Sequence, residues 1–144
     1  MAAFLKREHD YAVRICAFLA GLPEKTTLPL SSVAEKLYLT VPFTRKIVHQ
    51  LIKNDILSSV QGKNGGIYLK QAAENLSIYD ILQAMGFDMP LNECTKIKGF
   101  CPLSGNCKVH QFFMEQEQAL HRTFKEKKIS ELAFSFEPSL LTLG

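Results

Sequence analysis

The middle of the chain constrains the fold most, because two short helical patterns are followed there by a glycine-rich turn. Ser32 and Glu35 form an S-x-x-E capping box, which predicts a short helix over residues 33–37. Thr40 is a typical N-cap, and the helix that it opens is predicted to run to about Asn54. Two short helices joined by a tight turn, the second amphipathic and basic, are typical of a helix-turn-helix.

The second of these helices is predicted to have one buried and one polar face. Phe43, Ile47 and Leu51 recur at helical spacing and predict a buried stripe. Val48 and Ile52 flank that stripe. In a helix-turn-helix, the second helix contacts bases in the major groove. The residues of this helix and its start that are predicted to contact DNA are Thr40, Pro42, Thr44, Arg45, His49 and Gln50.

A β-hairpin is predicted directly after the helix-turn-helix. Residues 56–60 and 67–69 are strand-like, and the glycine-rich stretch 61–66 lies between them. A hairpin in this position is a wing. Gln61 and Lys63 in its turn are predicted to contact the DNA backbone or a neighbouring groove.

The distribution of charge supports a nucleic-acid partner. The whole chain carries only +3, but between Val41 and Lys70 five basic residues stand against one acid. A basic stretch in an otherwise nearly neutral chain is expected of a phosphate-binding surface. A solvated helix face is the alternative interpretation of the same charges.

Further helices are predicted on both sides of this segment. Residues 8–20 carry apolar side chains at helical spacing, and Gly21 ends that helix. Ser77 and Asp80 form a capping box for a helix over residues 78–85. The predicted fold class is therefore mainly α (α+β), a winged helix-turn-helix with a long C-terminal dimerisation helix.

That long helix is predicted from about Cys107 to Lys127. Its apolar side consists of Val109, Phe112, Phe113, Gln116, Ala119, Leu120 and Phe124. A long aromatic helix with a small head to pack on favours a homodimer, because DNA readers of this type bind paired half-sites. Packing within one chain is the alternative. The chain is thus predicted to divide into a DNA-binding head (1–86), a Cys-rich loop (87–106), and a dimerisation helix with a tail (107–144). The tail has little sequence pattern from which its structure could be predicted.

Composition places the chain in a reducing compartment. At 144 residues and 47% apolar, it suits one compact domain or a small head with an appendage. The first fourteen residues are too charged for a secretion signal, and no apolar stretch is long enough to span a bilayer. We expect a cytoplasmic protein with reduced thiols and no membrane partner.

Three of the four cysteines and one histidine lie close together, spaced C-x6-C-x5-C-x2-H. They are Cys94, Cys101, Cys107 and His110. Reduced thiols favour a metal over a disulfide. Zinc usually takes more closely spaced cysteine pairs. Iron–sulfur clusters take thiolates readily, and a histidine can replace a cysteine on the iron. Both metals stay open on the residues alone.

The chain resembles the IscR/NsrR/CymR family of winged-helix transcriptional regulators over nearly its whole length. The stretches that carry the resemblance are Asp10-Tyr-Ala-Val-Arg14, Leu30-Ser-Ser-Val-Ala-Glu35, Asp55-Ile-Leu-Ser-Ser-Val60, Gly65-Gly-Ile-Tyr-Leu69 and Ile78-Tyr-Asp-Ile81. The three-cysteine signature resembles that of the cluster-binding branch. The resemblance implies a homodimeric regulator that binds a pseudo-palindromic operator in duplex DNA. A repressor is the more typical kind of such a regulator.

The resemblance also implies an iron–sulfur cofactor. The Cys107-x2-His110 ending resembles members that hold a 2Fe–2S cluster with three cysteines and this histidine. In nitric-oxide-sensing members the three cysteine ligands are joined by a fourth ligand, an aspartate from the first helix of the other subunit. Asp10 of this chain lies at the position of that aspartate. We favour 2Fe–2S with His110, with 4Fe–4S and Asp10 as the alternative. Iron–sulfur status, redox change or nitric oxide would then control operator affinity.

Two departures from the family pattern limit what the resemblance implies. The first cysteine gap is six residues, where relatives usually have five. The wing reads Gln61-Gly-Lys-Asn-Gly65, where relatives commonly carry arginine and proline. Arginine reads bases with a donor geometry that glutamine and lysine do not share. The operator sequence therefore does not follow from the relatives.

Other interpretations remain. A cluster-free thiol sensor or a zinc-stabilised regulator of the same fold is the first alternative. A protein-interaction module without DNA contact is the second. An enzyme with Cys107 and His110 as nucleophile and base is the third. No orienting acid or Gly-rich phosphate loop accompanies that pair, so we expect no enzymatic activity.

Overall fold

The computed structural model of the chain describes residues 3–92, 96–97, 102–103 and 105–135. The elements, in chain order, are α1 (Arg7–Ala20), α2 (Leu30–Lys36), α3 (Val41–Lys53), β1 (Leu57–Val60), β2 (Gly66–Leu69), α4 (Ile78–Ala84) and α5 (Lys108–Glu126). Short 3-10 helices cover Ala73–Asn75 and Ile129–Leu132. The predicted winged helix-turn-helix with a long C-terminal helix is confirmed.

The predicted starts of α3 and α4 are confirmed in detail. The Thr40 hydroxyl oxygen accepts a hydrogen bond from the Phe43 amide at 3.3 Å. Ser77 and Asp80 form the predicted capping box, with both reciprocal bonds at 3.1 Å. Each cap satisfies amide donors that the first helical turn leaves unpaired.

The predicted capping box of α2 is wrong. The helix begins at Leu30, ahead of the predicted start, and Pro29 is its N-cap. The Pro29 carbonyl accepts bonds from the amides of Ser32 and Val33. The backbone of Pro29 therefore opens the helix, and Ser32 lies one turn inside it, where its side chain cannot cap.

The core of the head lies between α1, α3, α4 and the hairpin. The largest fully buried side chains are Ile15, Ile47, Leu51, Leu57, Leu76, Ile81, Leu82 and Ile129. Burying side chains of this size stabilises a fold by about 1.5–3 kcal/mol each. The core holds α3 against α1 and α4, which fixes the direction of its exposed face.

The hairpin is anchored to the loop between α1 and α2. β1 and β2 pair antiparallel, and Val60 lies opposite Gly66. Leu28 and Ile67 exchange backbone hydrogen bonds, with N···O distances of 2.7 and 3.2 Å. A Cβ on Gly66 would lie 2.2 Å from the Leu28 carbonyl carbon, so only glycine permits this approach. The wing is thus held in position from outside the hairpin.

After α5 the chain returns to the head. The amide of Ile129, which is fully buried, donates to the Leu76 carbonyl at 2.7 Å, and the amide of Ile78 donates to the Lys127 carbonyl at 3.0 Å. Phe134 packs its ring against Phe18, with 5.9 Å between the ring centroids. The tail after α5, whose structure the sequence pattern did not predict, therefore contributes to the core of the head.

Replacing Gly21 with alanine is expected to destabilise the fold. The new Cβ would lie 2.0 Å from the Phe134 carbonyl oxygen, so the returning chain must move. We expect Gly21→Ala to lower the free energy of unfolding by about 1–3 kcal/mol in urea denaturation. Gly105→Ala is the matched control, because no atom of the described residues lies within 4 Å of its added Cβ. Equal stability of the two variants would contradict the packing of Phe134 on Gly21.

Candidate nucleic-acid interface and cysteine-bearing helix end

The exposed face of α3 and its N-cap present four of the six residues of this helix and its start that are predicted to contact DNA. Thr40, Pro42, Arg45 and His49 are exposed, and we call these four residues the α3 surface. Positions 42, 45 and 49 are three and four residues apart, so they lie on one side of the helix. Within the described chain Arg45 makes no ion pair, whereas the Nζ of Lys46 lies 3.2 Å from Glu8. The α3 surface therefore presents an arginine without an anionic partner.

Thr44 does not belong to this surface, and its prediction as an exposed residue is wrong. It is fully buried, and its hydroxyl donates to the Thr40 carbonyl at 2.9 Å. Residue 44 precedes Ile47, Val48 and Leu51 by three, four and seven positions, which places it on the buried stripe of α3. The local bond to Thr40 satisfies its hydroxyl inside the core.

Gln50 is half-buried and turned toward α4. Its side-chain nitrogen donates to the Ala84 carbonyl at 3.2 Å, and the side-chain nitrogen of Asn54 donates to the same carbonyl at 3.2 Å. Ala84 is the last residue of α4, where helical carbonyls lack intrahelical partners. Gln50 thus braces α3 against α4.

The wing carries its two predicted contact residues at an exposed turn. Gln61 and Lys63 are exposed, and Gly62 between them has φ +109°. The Thr27 hydroxyl donates to the Asn64 carbonyl at 3.1 Å, which ties the turn to the α1–α2 loop. The exposed ammonium of Lys63 is therefore presented from a braced turn.

A cluster that the sequence did not reveal joins α1 to α3. The guanidinium carbon of Arg7 lies 4.8 Å from the Phe43 ring centroid and 5.4 Å from that of Tyr11. The Tyr11 and Phe43 rings meet edge to face at 6.0 Å. Cation–π contacts of this kind stabilise by about 0.5–1 kcal/mol at exposed sites. Arg7 and Tyr11 are four residues apart on α1, but Phe43 lies 32 residues after Tyr11, so no local pattern links it to them.

Cys107 lies at the N-terminus of α5 and caps it. Its sulfur accepts a hydrogen bond from the His110 amide at 3.4 Å. Cys107 and His110 are both half-buried and one turn apart. A helix N-terminus favours negative charge, so this position suits a thiolate. Cys107 and His110 are thus linked at the start of α5 through the backbone amide of His110.

The other two predicted cysteine ligands, Cys94 and Cys101, lie outside the described residues. Among the residues that are described, no group of three or more His, Cys, Asp and Glu could hold a metal ion. The described half of the predicted ligand set, one sulfur and one imidazole at a helix start, fits an iron–sulfur cluster or zinc in its donor chemistry.

The fourth cysteine, Cys16, is a core residue. It is fully buried on α1, and burial raises the pKa of its thiol. A thiol of raised pKa is a poor nucleophile and a poor metal ligand. Cys16 is therefore a natural control for substitutions of the other cysteines.

Asp10, the alternative fourth ligand, lies far from Cys107 in the same chain. It pairs with Arg14 at 3.0 Å and borders an apolar cavity of about 260 Å³ together with Thr123 and Phe124. Thr123 is sixteen residues beyond Cys107, which corresponds to about 24 Å along a helix. Asp10 can therefore reach a cluster at Cys107 only from a partner subunit.

The first half of α5 exposes apolar side chains, and its second half packs on the head. Val109 and Phe112 are 63% and 54% exposed. Toward the other end, Phe124 packs on the core, and His121 and Lys125 contact the Tyr79 ring of α4 at 4.4 and 5.0 Å. In the part of the chain that the structure covers, no helix is long and apolar enough to cross a membrane.

Comparison with known proteins identifies one family. Residues 5–134 match the family described as "Rrf2: Iron-dependent Transcriptional regulator". The HTH-type transcriptional regulator NsrR of Oceanobacillus iheyensis is 26% identical over 141 residues, which cover 97% of this chain and 96% of that protein.

Solved structures share the fold. The structure of CymR, the global cysteine regulator of B. subtilis, superposes with a TM-score of 0.76 at 17% identity, over 92% of this chain and 97% of that one. The structure of T. potens IscR superposes with a TM-score of 0.69 at 17% identity, over 89% of this chain and 84% of that one. At these identities the likeness establishes the fold.

Proposed function

The chain belongs to the Rrf2 family of transcriptional regulators, and from this we propose that an iron–sulfur cluster at the N-terminus of α5 controls its affinity for DNA. Members of this family are DNA-binding regulators and not enzymes. We propose a homodimer that acts as a repressor. The single observation that carries the cluster proposal is the Cys107 sulfur at the start of α5, one turn from His110.

On DNA, the two copies of the α3 surface would enter successive major grooves of a pseudo-palindromic operator. Arg45 and His49 would meet base edges or phosphates, while Thr40 and Pro42 would approach the backbone at the helix start. Gln61 and Lys63 of the wing would contact the neighbouring groove. Buried Thr44 takes no part, and Gln50 contributes by holding α3 against α4.

The proposed cluster ligands are Cys94, Cys101 and Cys107. The favoured fourth ligand is His110, with a 2Fe–2S cluster, and the alternative is Asp10 of the partner subunit, with a 4Fe–4S cluster. When bound, such a cluster supplies a centre that responds to redox change and nitric oxide. The amide of His110 would donate to the Cys107 thiolate, and the start of α5 would offset the negative charge of the ligands.

The exposed apolar half of α5 supports the homodimer. Val109 and Phe112 lie on the predicted apolar side of the helix and are more than half exposed in the single chain. A second copy of the same helix would cover them in a symmetric interface. A cluster completed by Asp10 would require this dimer to place Asp10 of one subunit beside the cysteines of the other.

The contacts at the far end of α5 offer a route from the cluster to the head. Ile129 and Lys127 hydrogen-bond to the backbone at the start of α4, and the Tyr79 ring of α4 meets the His121 ring of α5 edge to face. α4 in turn is bound to α3 through Gln50 and Asn54. A change in the position of α5 would therefore reach the α3 surface through α4. A coupling of about 1.4 kcal/mol suffices for a tenfold change in affinity.

A cluster-free thiol sensor or a zinc-stabilised regulator on the same fold is the second candidate. The observation that favours it is the Cys107 sulfur at the start of α5, which is only half-buried and so can be reached by an oxidant. On this account the cysteines would respond to oxidants directly, or zinc would hold them.

Metal and sulfide analysis of anaerobically purified protein distinguishes the two candidates. The cluster account predicts visible colour, with iron and acid-labile sulfide in comparable amounts on each chain. A colourless protein with stoichiometric zinc, or with neither metal, would contradict the cluster and support the second candidate. Oxygen-exposed protein, analysed in parallel, shows whether a missing cluster was lost in handling.

A further inference from the structure

The turn between α2 and α3 holds a tyrosine where a glycine is the usual residue. Tyr38 has φ +57°, in the left-handed region that residues with a Cβ rarely adopt. The Leu39 amide donates to the Ala34 carbonyl at 2.8 Å, and the Tyr38 amide donates to the Glu35 carbonyl at 3.2 Å. These two bonds form a Schellman motif, in which Tyr38 occupies the position that glycine favours.

No contact within the described residues offsets the strain at Tyr38. The residue is 77% exposed, which makes it the most exposed large apolar or aromatic residue in the described chain. Within those same residues its ring has no aromatic or cationic partner, and its hydroxyl makes no hydrogen bond. Glycine would relieve the backbone and remove an exposed ring from solvent. A strained residue that stability does not explain points to function.

The place of Tyr38 in the fold suggests what that function is. The turn leads directly into the start of α3, two residues before Thr40. In a helix-turn-helix the first residues of the second helix lie in the major groove, so the preceding turn faces the groove edge, where phosphates line the DNA. Tyrosine is one of the side chains that donate to phosphate oxygens, and its ring can lie on a sugar.

We infer that Tyr38 is a DNA-backbone contact, in which the phenol hydroxyl donates a hydrogen bond to a phosphate oxygen beside the half-site. The inference rests on the DNA binding proposed above and adds a residue that charge and helical periodicity do not reveal. Because phosphates carry no sequence information, the contact strengthens binding to any duplex and leaves sequence preference unchanged.

Two substitutions test the contact. Tyr38→Phe keeps the backbone and the ring, and removes only the hydroxyl. We expect it to weaken binding by about threefold on both a preferred and a mixed-sequence duplex. Tyr38→Gly also relieves the backbone. We expect a melting temperature a few degrees above the wild type, together with a loss of affinity of about tenfold. The salt dependence of binding should not change in either variant, because tyrosine is uncharged.

Fluorescence anisotropy at low salt provides the measurement, with Tyr79→Phe as the matched control. Tyr79 lies outside the α3 surface and the wing, and phenylalanine keeps the ring that contacts His121 and Lys125, so this variant should bind DNA with wild-type affinity. If the wild type binds duplex DNA and Tyr38→Phe binds equally well, the phosphate contact is wrong and the proposed function stands. If the wild type binds no duplex at low salt, the proposed function fails and this inference fails with it.

Discussion

Cys107→Ser is expected to abolish cluster binding without weakening the helix that it caps. Serine is among the best N-cap residues, so its hydroxyl oxygen can accept the His110 amide in place of the sulfur. Serine is a poor ligand for iron in such clusters, which are held by thiolates. We expect iron and sulfide to fall close to zero in the anaerobically purified variant, while its thermal stability without cofactor matches that of the cluster-free wild type.

Cys16→Ala is the matched control for that substitution. Cys16 is buried in the core and lies outside the proposed ligand set, so its variant should keep the iron and sulfide of the wild type. If Cys107→Ser retained iron at the wild-type level, Cys107 would not be a cluster ligand and the proposed site at the start of α5 would be wrong. The same counts for His110→Ala and Asp10→Ala decide between the two fourth ligands.

Arg45→Ala is expected to weaken operator binding about 10- to 100-fold. Arg45 is exposed at the centre of the α3 surface and makes no ion pair within the described residues, so its guanidinium is available for a base edge or a phosphate. The loss corresponds to about 1–3 kcal/mol. If the contact is to a base, discrimination between preferred and mixed-sequence duplexes should fall as well, as measured by titration at fixed salt.

Arg122→Ala provides the control for the loss of one positive charge. Arg122 is exposed on α5, outside the helix-turn-helix and the wing. Its removal should change affinity only slightly, because a single distant charge is screened at moderate salt. Unchanged binding of Arg45→Ala on every duplex tested would contradict the assignment of α3 as the DNA-contacting helix.

Local signals in the sequence predicted the elements that place the α3 surface. Thr40 and the Ser77–Asp80 pair act within one helical turn, so the residues themselves reveal the helix starts that the structure confirms. The glycine-rich turn revealed the hairpin for the same reason, because its backbone demands are local. The winged helix-turn-helix could therefore be predicted before any three-dimensional information.

Long-range contacts account for part of what the sequence did not predict. Gly21 meets Phe134, and Ile129 meets Leu76, across separations that periodicity cannot detect. Thr44 looked exposed because its side chain is polar, although its position on the helix places it with the buried stripe. The left-handed backbone of Tyr38 follows from the Schellman motif, which the tyrosine itself does not signal. The roles of Cys94 and Cys101 stay predictions.

Control of DNA affinity by the cluster can be measured by comparing the affinity of one protein preparation for one duplex with and without its cluster. The preferred duplex is first selected from a random pool with anaerobically purified protein. Half of the preparation is then stripped of iron under anaerobic conditions and shown to keep its fold. We expect at least a tenfold difference in Kd between the two forms, and no such difference for Cys107→Ser after the same treatment. Equal Kd values for the two wild-type forms would contradict control of affinity by the cluster.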